Sequence, residues 1–154
     1  MSNPRKSTKA LPAAITPMIG ALLRLPHEVV VDRMLSALNA NGFDLTLTEL
    51  GVFLYPGPEG RRPIDLARQC NATRQTMNYV LTSLEQRGYI ERRTESGSAG
   101  RLVRMTSRGW ELVALIRSTL GEIEKDWSKH LGAERFKALR GMLRDLAQWL
   151  GKLD

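Results

Sequence analysis

The spacing of hydrophobic residues along this chain predicts mainly helices. In the last third of the sequence, apolar side chains recur at intervals of three and four residues, which places them on one face of a helix. One series consists of Val113, Ile116, Leu120, Ile123 and Trp127, and the other of Phe136, Leu139, Leu143, Leu146, Leu150 and Leu153. We therefore expect a long helix that Ser107 caps and that runs to about His130, followed by a last helix from about Ala133 to Leu153.

The first third of the chain predicts shorter helices. One is expected from Met18 to Leu25, and Pro26 suits the first turn of a second that runs to about Ala40. Asn41-Gly42 is a good helix stop, and the later spacing of Thr46 and Glu49 is that of a capping box at the start of a third helix. Residues 1–14, rich in Ser, Thr, Pro and Lys, are expected to form a flexible basic arm.

The middle of the chain has the pattern of a helix-turn-helix followed by a β-hairpin. Pro63 opens a short helix, and Thr73 is placed to cap a longer helix that ends near Gly88. Residues 89–93 and 101–106 read as two strands around a Gly/Ser loop. The expected fold class is therefore mainly α with a small β-hairpin wing. This is the winged helix-turn-helix arrangement, which places one helix in a DNA major groove.

The apolar series at the C-terminal end must be covered by another helix. They could pack on each other within one chain, or face a second copy. Leu112, Leu115, Trp149 and the apolar N-terminal helix also need cover, and 154 residues provide few further layers. We expect a homodimer, with residues 45–106 as the winged helix-turn-helix region and residues 15–44 and 107–154 as a helical dimerisation region. The expected interface residues are Phe136, Leu139, Leu143, Leu146 and Leu150.

The helix after Thr73 has one apolar and one polar face. Met77, Val80, Leu81 and Leu84 share the apolar stripe. The opposite face carries groups that hydrogen-bond to base edges, Arg with guanine and Gln or Asn with adenine. An ordinary solvated face would also be polar, but a position between a tight turn and a wing favours DNA. The expected DNA-contacting residues are Arg61, Arg62, Thr73, Arg74, Gln75, Asn78, Tyr79, Thr82, Arg93 and Arg101.

Charge and composition agree with a polyanionic partner. The chain has a formal net charge of +7, with 42% hydrophobic and 25% charged residues. Residues 63–109 contain more arginines than acidic residues and no lysine, although charge alone does not separate DNA from RNA or a membrane surface. Cys70 is the single cysteine, and His27 and His130 lack metal-ligand spacing. No catalytic motif is evident, and a cytoplasmic protein without cofactor or metal is expected.

These segments resemble the MarR family (multiple antibiotic resistance regulators) of bacterial transcription regulators. The matching segments are LTLTELGVFL at residues 45–54, LARQCNATRQTMNYVLTSLEQRGYIERR at 66–93 and RLVRMTSRG at 101–109. With the flanking helices, the likeness covers nearly all of the chain after residue 15. It implies a homodimer that binds a pseudo-palindromic operator, usually as a repressor, and that a small aromatic or phenolic ligand releases. It also implies a ligand cleft bordered by His27, Arg33, Met34 and Trp110.

The sequence departs from the family pattern at the wing tip. Many members carry an Asp and nearby Arg residues there, whereas residues 96–100 here are Ser-Gly-Ser-Ala-Gly. A Gly/Ser loop offers few long side chains, so a minor-groove contact is expected to be weak, absent, or supplied by Arg93 or Arg101. The departure leaves an alternative function open, a winged-helix protein-interaction module with weakened DNA binding.

Overall fold

Six helices and one two-stranded sheet make up the computed structural model, which describes residues 17–54, 56–94 and 100–152. The wing tip and the predicted N-terminal arm lie outside the described residues, apart from Gly100. The elements are, in chain order, α1 Ile19–Ala40, α2 Leu47–Leu54, α3 Pro63–Gln69, α4 Arg74–Gln86, β1 Ile90–Thr94, β2 Arg101–Met105, α5 Ser107–Leu131 and α6 Ala133–Trp149.

The first helix is continuous where the sequence predicts two. Pro26 lies inside α1, so the expected break after Leu25 is wrong. A proline removes one backbone donor but does not by itself end a helix. Here Met34 and Leu38, both buried, anchor the second half of α1 on the core, and this packing keeps the helix continuous although three valines of lower helix propensity follow Pro26 closely.

The core lies where α2, α4 and the first half of α5 meet. Phe53 of α2, Leu81 and Leu84 of α4, and Leu112 of α5 are almost fully buried. Helix α5 also packs along α1, and its second half packs against α6. The core therefore joins α4 to the long helix through α2 and the hairpin, while α6 contacts the rest of the chain mainly through α5.

The wing is an antiparallel hairpin, and the loop before α3 adds an isolated β-bridge to its second strand. Ile90 is opposite Met105, and Thr94 is opposite Arg101. The loop before α3 joins this sheet, because the N–H of Arg61 donates to the carbonyl of Val103 at 2.9 Å and the Val103 N–H donates back at 2.8 Å. Gly60 precedes the bridge with a φ of +91°, and a Cβ there would lie 2.9 Å from the Val103 carbonyl oxygen, so the close approach requires glycine.

Local side-chain bonds fix the helix starts. The predicted capping box is confirmed: the Thr46 N–H donates to Glu49 Oε2 at 2.9 Å, and the Glu49 N–H donates to Thr46 Oγ1 at 3.3 Å. For α5 the expected cap is wrong, since Thr106 and not Ser107 accepts the bond, from the Gly109 N–H at 3.1 Å. Thr106 is the residue that leaves β2 with extended backbone, which is the conformation of an N-cap.

The C-terminal helix ends slightly earlier than predicted, at Trp149. Within the described ranges, no helix is long and apolar enough to cross a membrane. The same residues contain no group of three or more His, Cys, Asp or Glu side chains arranged to hold a metal ion.

Candidate nucleic-acid interface

Helix α4 presents a polar face to solvent. Its apolar stripe is buried as predicted, with Met77 and Leu81 almost fully covered. On the other side Arg74, Gln75 and Asn78 are exposed. Tyr79 is 79% exposed, an unusual position for a large aromatic side chain in a protomer. The sequence pattern therefore places these four side chains correctly on one accessible surface.

The start of α4 is rigidly capped. Thr73 Oγ1 accepts from the Thr76 N–H at 3.0 Å and lies 2.9 Å from Thr76 Oγ1. The predicted cap is confirmed, and the hydroxyl of Thr73 is used in hydrogen bonds within the chain. The remaining backbone N–H groups of the first turn point out of the helix end, where they favour an anion such as a phosphate.

Thr82 also uses its hydroxyl internally. Its Oγ1 donates to the carbonyl of Asn78 at 2.9 Å and accepts from Arg92 Nη2 at 3.2 Å. Thr82 is exposed, but it differs from Asn78 and Tyr79 in having its polar group occupied. Its predicted role as a base contact is therefore less direct than theirs.

Arg92 joins the hairpin to α4, a contact that sequence reasoning missed. Its Nε and Nη2 donate to Glu85 Oε2 at 2.9 and 2.6 Å, and its backbone N–H donates to Glu85 Oε1 at 3.1 Å. The hydrogen bonds from Arg92 lower the pKa of Glu85, and the charges of Arg92 and Arg101 act in the same direction. The sequence feature that could have predicted this contact is an acidic residue at the end of α4 followed by an arginine in the next strand.

The two arginines of the loop before α3 occupy different environments. Arg61 is half-buried, bonded through its backbone to β2, and its Nη2 lies 3.4 Å from Gln69 Oε1. Gln69 in turn donates to the carbonyl of Gly51 at 2.7 Å. Arg62 is exposed at the N-cap position of α3. The pair predicted from sequence as equivalent phosphate contacts is thus one exposed cation and one that is partly structural.

The wing cations lie towards the outer end of the hairpin. Arg93 is exposed, and its Nε is 2.8 Å from Glu91 Oε1 on the same strand. Arg101 is exposed at the start of β2, opposite Thr94. Both positions lie next to the undescribed wing tip, and they extend the basic surface away from α4.

A second buried connection holds the far end of α4. Glu49 is buried and accepts hydrogen bonds from Ser83 Oγ at 3.2 Å and from Arg87 Nη2. Arg87 Nη1 also donates to the carbonyl of Asp44 at 2.7 Å. Sequence reasoning assigned Glu49 to the capping box alone. The Glu49 carboxylate also bonds to α4, because one oxygen accepts at the start of α2 and the other accepts from the end of α4.

The four residues predicted to border a ligand cleft lie on α1 and α5 and differ in burial. Met34 is buried in the core, Arg33 Nη1 pairs with Asp126 Oδ2 at 2.9 Å, His27 is exposed, and Trp110 is 38% exposed. A cavity of about 350 Å³ lies elsewhere, between α1 and the α5–α6 pair, and these four residues are not in its lining. The cavity is lined by Val30, Leu120, Ile123, Glu124, Trp127, Phe136, Leu139, Arg140, Leu143 and Arg144.

The residues predicted for the dimer interface follow one edge of α6. Phe136 is buried against α5, and Leu139 is half-buried. Leu143 and Leu146 are each 43% exposed, and Leu150 is 54% exposed. Exposure thus increases along α6 with distance from its start.

The capped α4 after α3, together with the adjoining hairpin, defines a winged helix-turn-helix protein. A model of the MarR family matches residues 33–102. The matched structures include a MarR family protein, and together these findings confirm the resemblance to the MarR family that the sequence predicts.

Similar solved structures span nearly the whole chain. A MarR family protein of Mycobacterium tuberculosis in complex with salicylic acid is 27% identical, with a TM-score of 0.62, covering 87% of this chain and 99% of its own. NadR in complex with 4-hydroxyphenylacetate is 24% identical, with a TM-score of 0.68 and coverages of 89% and 98%. The transcriptional repressor CouR bound to a 23-mer DNA duplex is 24% identical, with a TM-score of 0.65 and coverages of 84% and 92%. No curated protein matches the chain significantly by sequence.

Proposed function

We propose that this chain is a dimeric transcriptional repressor that binds a pseudo-palindromic operator through α4 and is released by a small aromatic or phenolic ligand. Residues 45–106 form the DNA-binding region in this proposal. Residues 15–44 and 107–154 form the dimerisation region, and residues 1–14 are a basic arm.

The exposed polar face of α4 is the observation that carries the proposal. Arg74, Gln75 and Asn78 lie in its first two turns, and these side chains match the donors and acceptors of guanine and adenine in the major groove. Residues near the N-terminus of a recognition helix are those that reach base edges. Tyr79 adds an exposed aromatic ring suited to a thymine methyl or a sugar.

Phosphate contacts are assigned to cations around this face. Arg62 is the exposed cation beside α3, and Arg93 and Arg101 lie on the wing. Such contacts supply affinity and salt dependence without reading sequence. Arg61, bonded to β2 and close to Gln69, contributes less to the phosphate contacts than Arg62.

Dimerisation is supported by apolar side chains that the protomer leaves exposed at both chain ends. So many exposed apolar side chains are typical of a surface that a partner covers. A pseudo-palindromic site then follows from the two-fold symmetry of such a dimer. The exposed apolar residues at these ends are Met18, Ile19, Leu22, Leu23, Leu25, Val29, Met142, Leu143, Leu146, Trp149 and Leu150.

Ligand release is supported by the chemistry of the molecules bound to similar structures. Salicylic acid and 4-hydroxyphenylacetate both combine an aromatic ring, a phenol and a carboxylate. The candidate cation for such a carboxylate in this chain is Arg33, which pairs with Asp126, and the candidate ring is the partly exposed Trp110. Salicylate and 4-hydroxyphenylacetate are therefore the first probes to test as effectors.

The decisive experiment selects bound sequences from a random duplex library and then measures affinity by fluorescence anisotropy over a range of salt concentrations. We expect a pseudo-palindromic consensus and a linear fall of log affinity with log salt. The probe compounds should dissociate the complex. Absence of any consensus together with salt-independent binding would contradict the proposal, and retention of an acidic protein instead of DNA would favour an interaction module.

A further inference from the structure

The junction between α4 and the wing contains a side-chain clamp that the DNA-contact set does not include. Glu85 is on the last turns of α4, and Arg92 is the central residue of β1. Three hydrogen bonds join them, two from the guanidinium at 2.9 and 2.6 Å and one from the backbone N–H at 3.1 Å. Arg92 is largely covered, with a side chain only 19% exposed.

The clamp joins the hairpin to α4, whereas the Arg61–Val103 bridge joins it to the loop before α3. The base of the hairpin is held by Thr106, whose N–H donates to the carbonyl of Tyr89 at 3.1 Å and whose Oγ1 donates to the carbonyl of Gly88 at 2.6 Å. The bonds to Glu85 reach the middle of β1. They therefore oppose rotation of the hairpin relative to α4, which the Thr106 bonds alone would allow, and they add to the Arg61–Val103 bridge, which ties β2 to a different element.

The same guanidinium extends the clamp onto the recognition helix. Arg92 Nη2 donates to Thr82 Oγ1 at 3.2 Å, and Thr82 in turn donates to the carbonyl of Asn78 at 2.9 Å. A planar guanidinium can hold both partners at once, whereas an ammonium group cannot reproduce this geometry. Because Arg92 is committed to Glu85 and Thr82, its charge is directed into the protein and not towards a phosphate.

We propose that Arg92 and Glu85 are positioning residues that fix the angle between the wing and α4, so that one protomer can engage the major groove and the flanking backbone together. The proposal rests on the proposed DNA-binding function. It assigns to an acidic residue, next to a DNA surface, a favourable effect on DNA affinity. Simple electrostatics predicts the opposite effect, and this contrast makes the proposal testable.

Glu85→Ala is the test variant and Glu91→Ala is its matched control. Each removes one carboxylate from the α4–wing unit, but the ion pair of Glu91 among the described residues runs along its own strand, to Arg93. Alanine is the best helix former, so Glu85→Ala preserves α4. We expect Glu91→Ala to bind DNA equally or more tightly, and Glu85→Ala to bind about three- to tenfold more weakly, as for the loss of a charge-assisted hydrogen-bonded pair. Equal gains in affinity for both variants would overturn the proposal.

Arg92→Lys separates geometry from charge. It keeps the positive charge and removes the fork that holds Glu85 and Thr82. We expect it to weaken DNA binding as Glu85→Ala does. Wild-type affinity in Arg92→Lys, or a lowered melting temperature with unchanged affinity of the folded protein, would show a role confined to charge or to stability and would overturn the proposal.

A measurement without DNA distinguishes failure of the clamp from failure of the proposed function. Residual dipolar couplings of the free protein report the orientation of β1 relative to α4. Amide exchange at Arg92 reports its bond to Glu85. We expect Glu85→Ala to change both while the Val103 amide, bonded to Arg61, stays protected. An unchanged orientation would overturn the clamp even if the wild-type protein bound its operator, and a changed orientation would support it even if the wild type bound no DNA.

Discussion

The winged helix-turn-helix and the terminal helices satisfy their side chains in different ways. In the first region the apolar residues of α4 are buried, and charged groups such as Glu49 and Glu85 are bonded to arginines of neighbouring elements. At the chain ends, by contrast, Met18 and Trp149 are each 80% exposed. The winged helix-turn-helix is therefore complete within one chain, whereas the terminal helices present an apolar surface that association would bury.

Because of this difference, DNA affinity and dimer assembly should be changed by substitutions in different regions. Substitutions on the polar face of α4 remove no core packing, so they should change DNA recognition while the protomer stays folded. Substitutions on the outer edge of α6 should change assembly first. DNA binding should then fall as a consequence, because two half-sites are no longer held together.

The largest effect is expected from placing charges on the apolar edge of α6. Leu143→Glu together with Leu150→Glu would bury unpaired charges in the proposed interface, at a cost of several kcal/mol. Both side chains are exposed in the protomer, so the fold of one chain should survive. Analytical ultracentrifugation should show monomers with wild-type helicity by circular dichroism. Lys137→Glu, at an exposed position of the same helix, is the control and should remain dimeric. A stable dimer of the double variant would remove α6 from the interface.

The second effect concerns base readout by α4. Arg74→Ala should lose roughly 1–3 kcal/mol of discrimination at one base position in each half-site. Selection from a random library should then show relaxed preference at a symmetric pair of positions, while the dimer stays intact. Asn78→Ala should relax a different pair. Gln86→Ala, exposed at the far end of α4, should leave the consensus unaltered, and an unaltered consensus in all three variants would exclude α4 as the reading helix.

A smaller effect on DNA affinity is expected from the two arginines before α3, and it should differ between them. Arg62→Ala should weaken binding to all sequences alike and reduce the salt slope by about two, because the proposed dimer loses one phosphate contact in each half-site. Arg61→Ala should change the slope less, because its side chain is half-buried near Gln69. Anisotropy titrations at several salt concentrations compare the two slopes. A larger slope change for Arg61→Ala would reverse the assignment.

The smallest effect is a pH dependence from Glu85. Hydrogen bonds from Arg92 lower the pKa of Glu85 in the folded protein. A group with a lowered folded pKa stabilises the fold above its ordinary pKa, and the contribution disappears as the pH falls through the folded value. The difference in unfolding free energy between the wild type and Glu85→Gln should therefore be largest near neutrality and vanish in acid below the ordinary carboxyl range. It should be small, since Glu85 is partly exposed. A difference that grew on acidification would have the wrong sign.

Features that depend on short spacings along the chain could be predicted without the structure. The capping box of Thr46 and Glu49, the cap at Thr73 and the two faces of α4 all follow from residues three or four positions apart. Such neighbours meet whenever the helix forms, so the pattern is sufficient. The order of the helices and hairpin strands could also be predicted from the sequence, and so could the resemblance to the MarR family.

The hydrogen bonds and ion pairs between different secondary-structure elements could not be predicted from the sequence. Glu49 serves both α2 and Arg87, Arg92 is bonded to Glu85 and Thr82, and Arg61 belongs to the sheet. Each of these contacts depends on how a helix packs against a strand or a loop, and no spacing along the chain specifies that packing. Continuity of α1 through Pro26 was decided in the same way, because the penalty of a proline is local while the packing of Met34 and Leu38 is not.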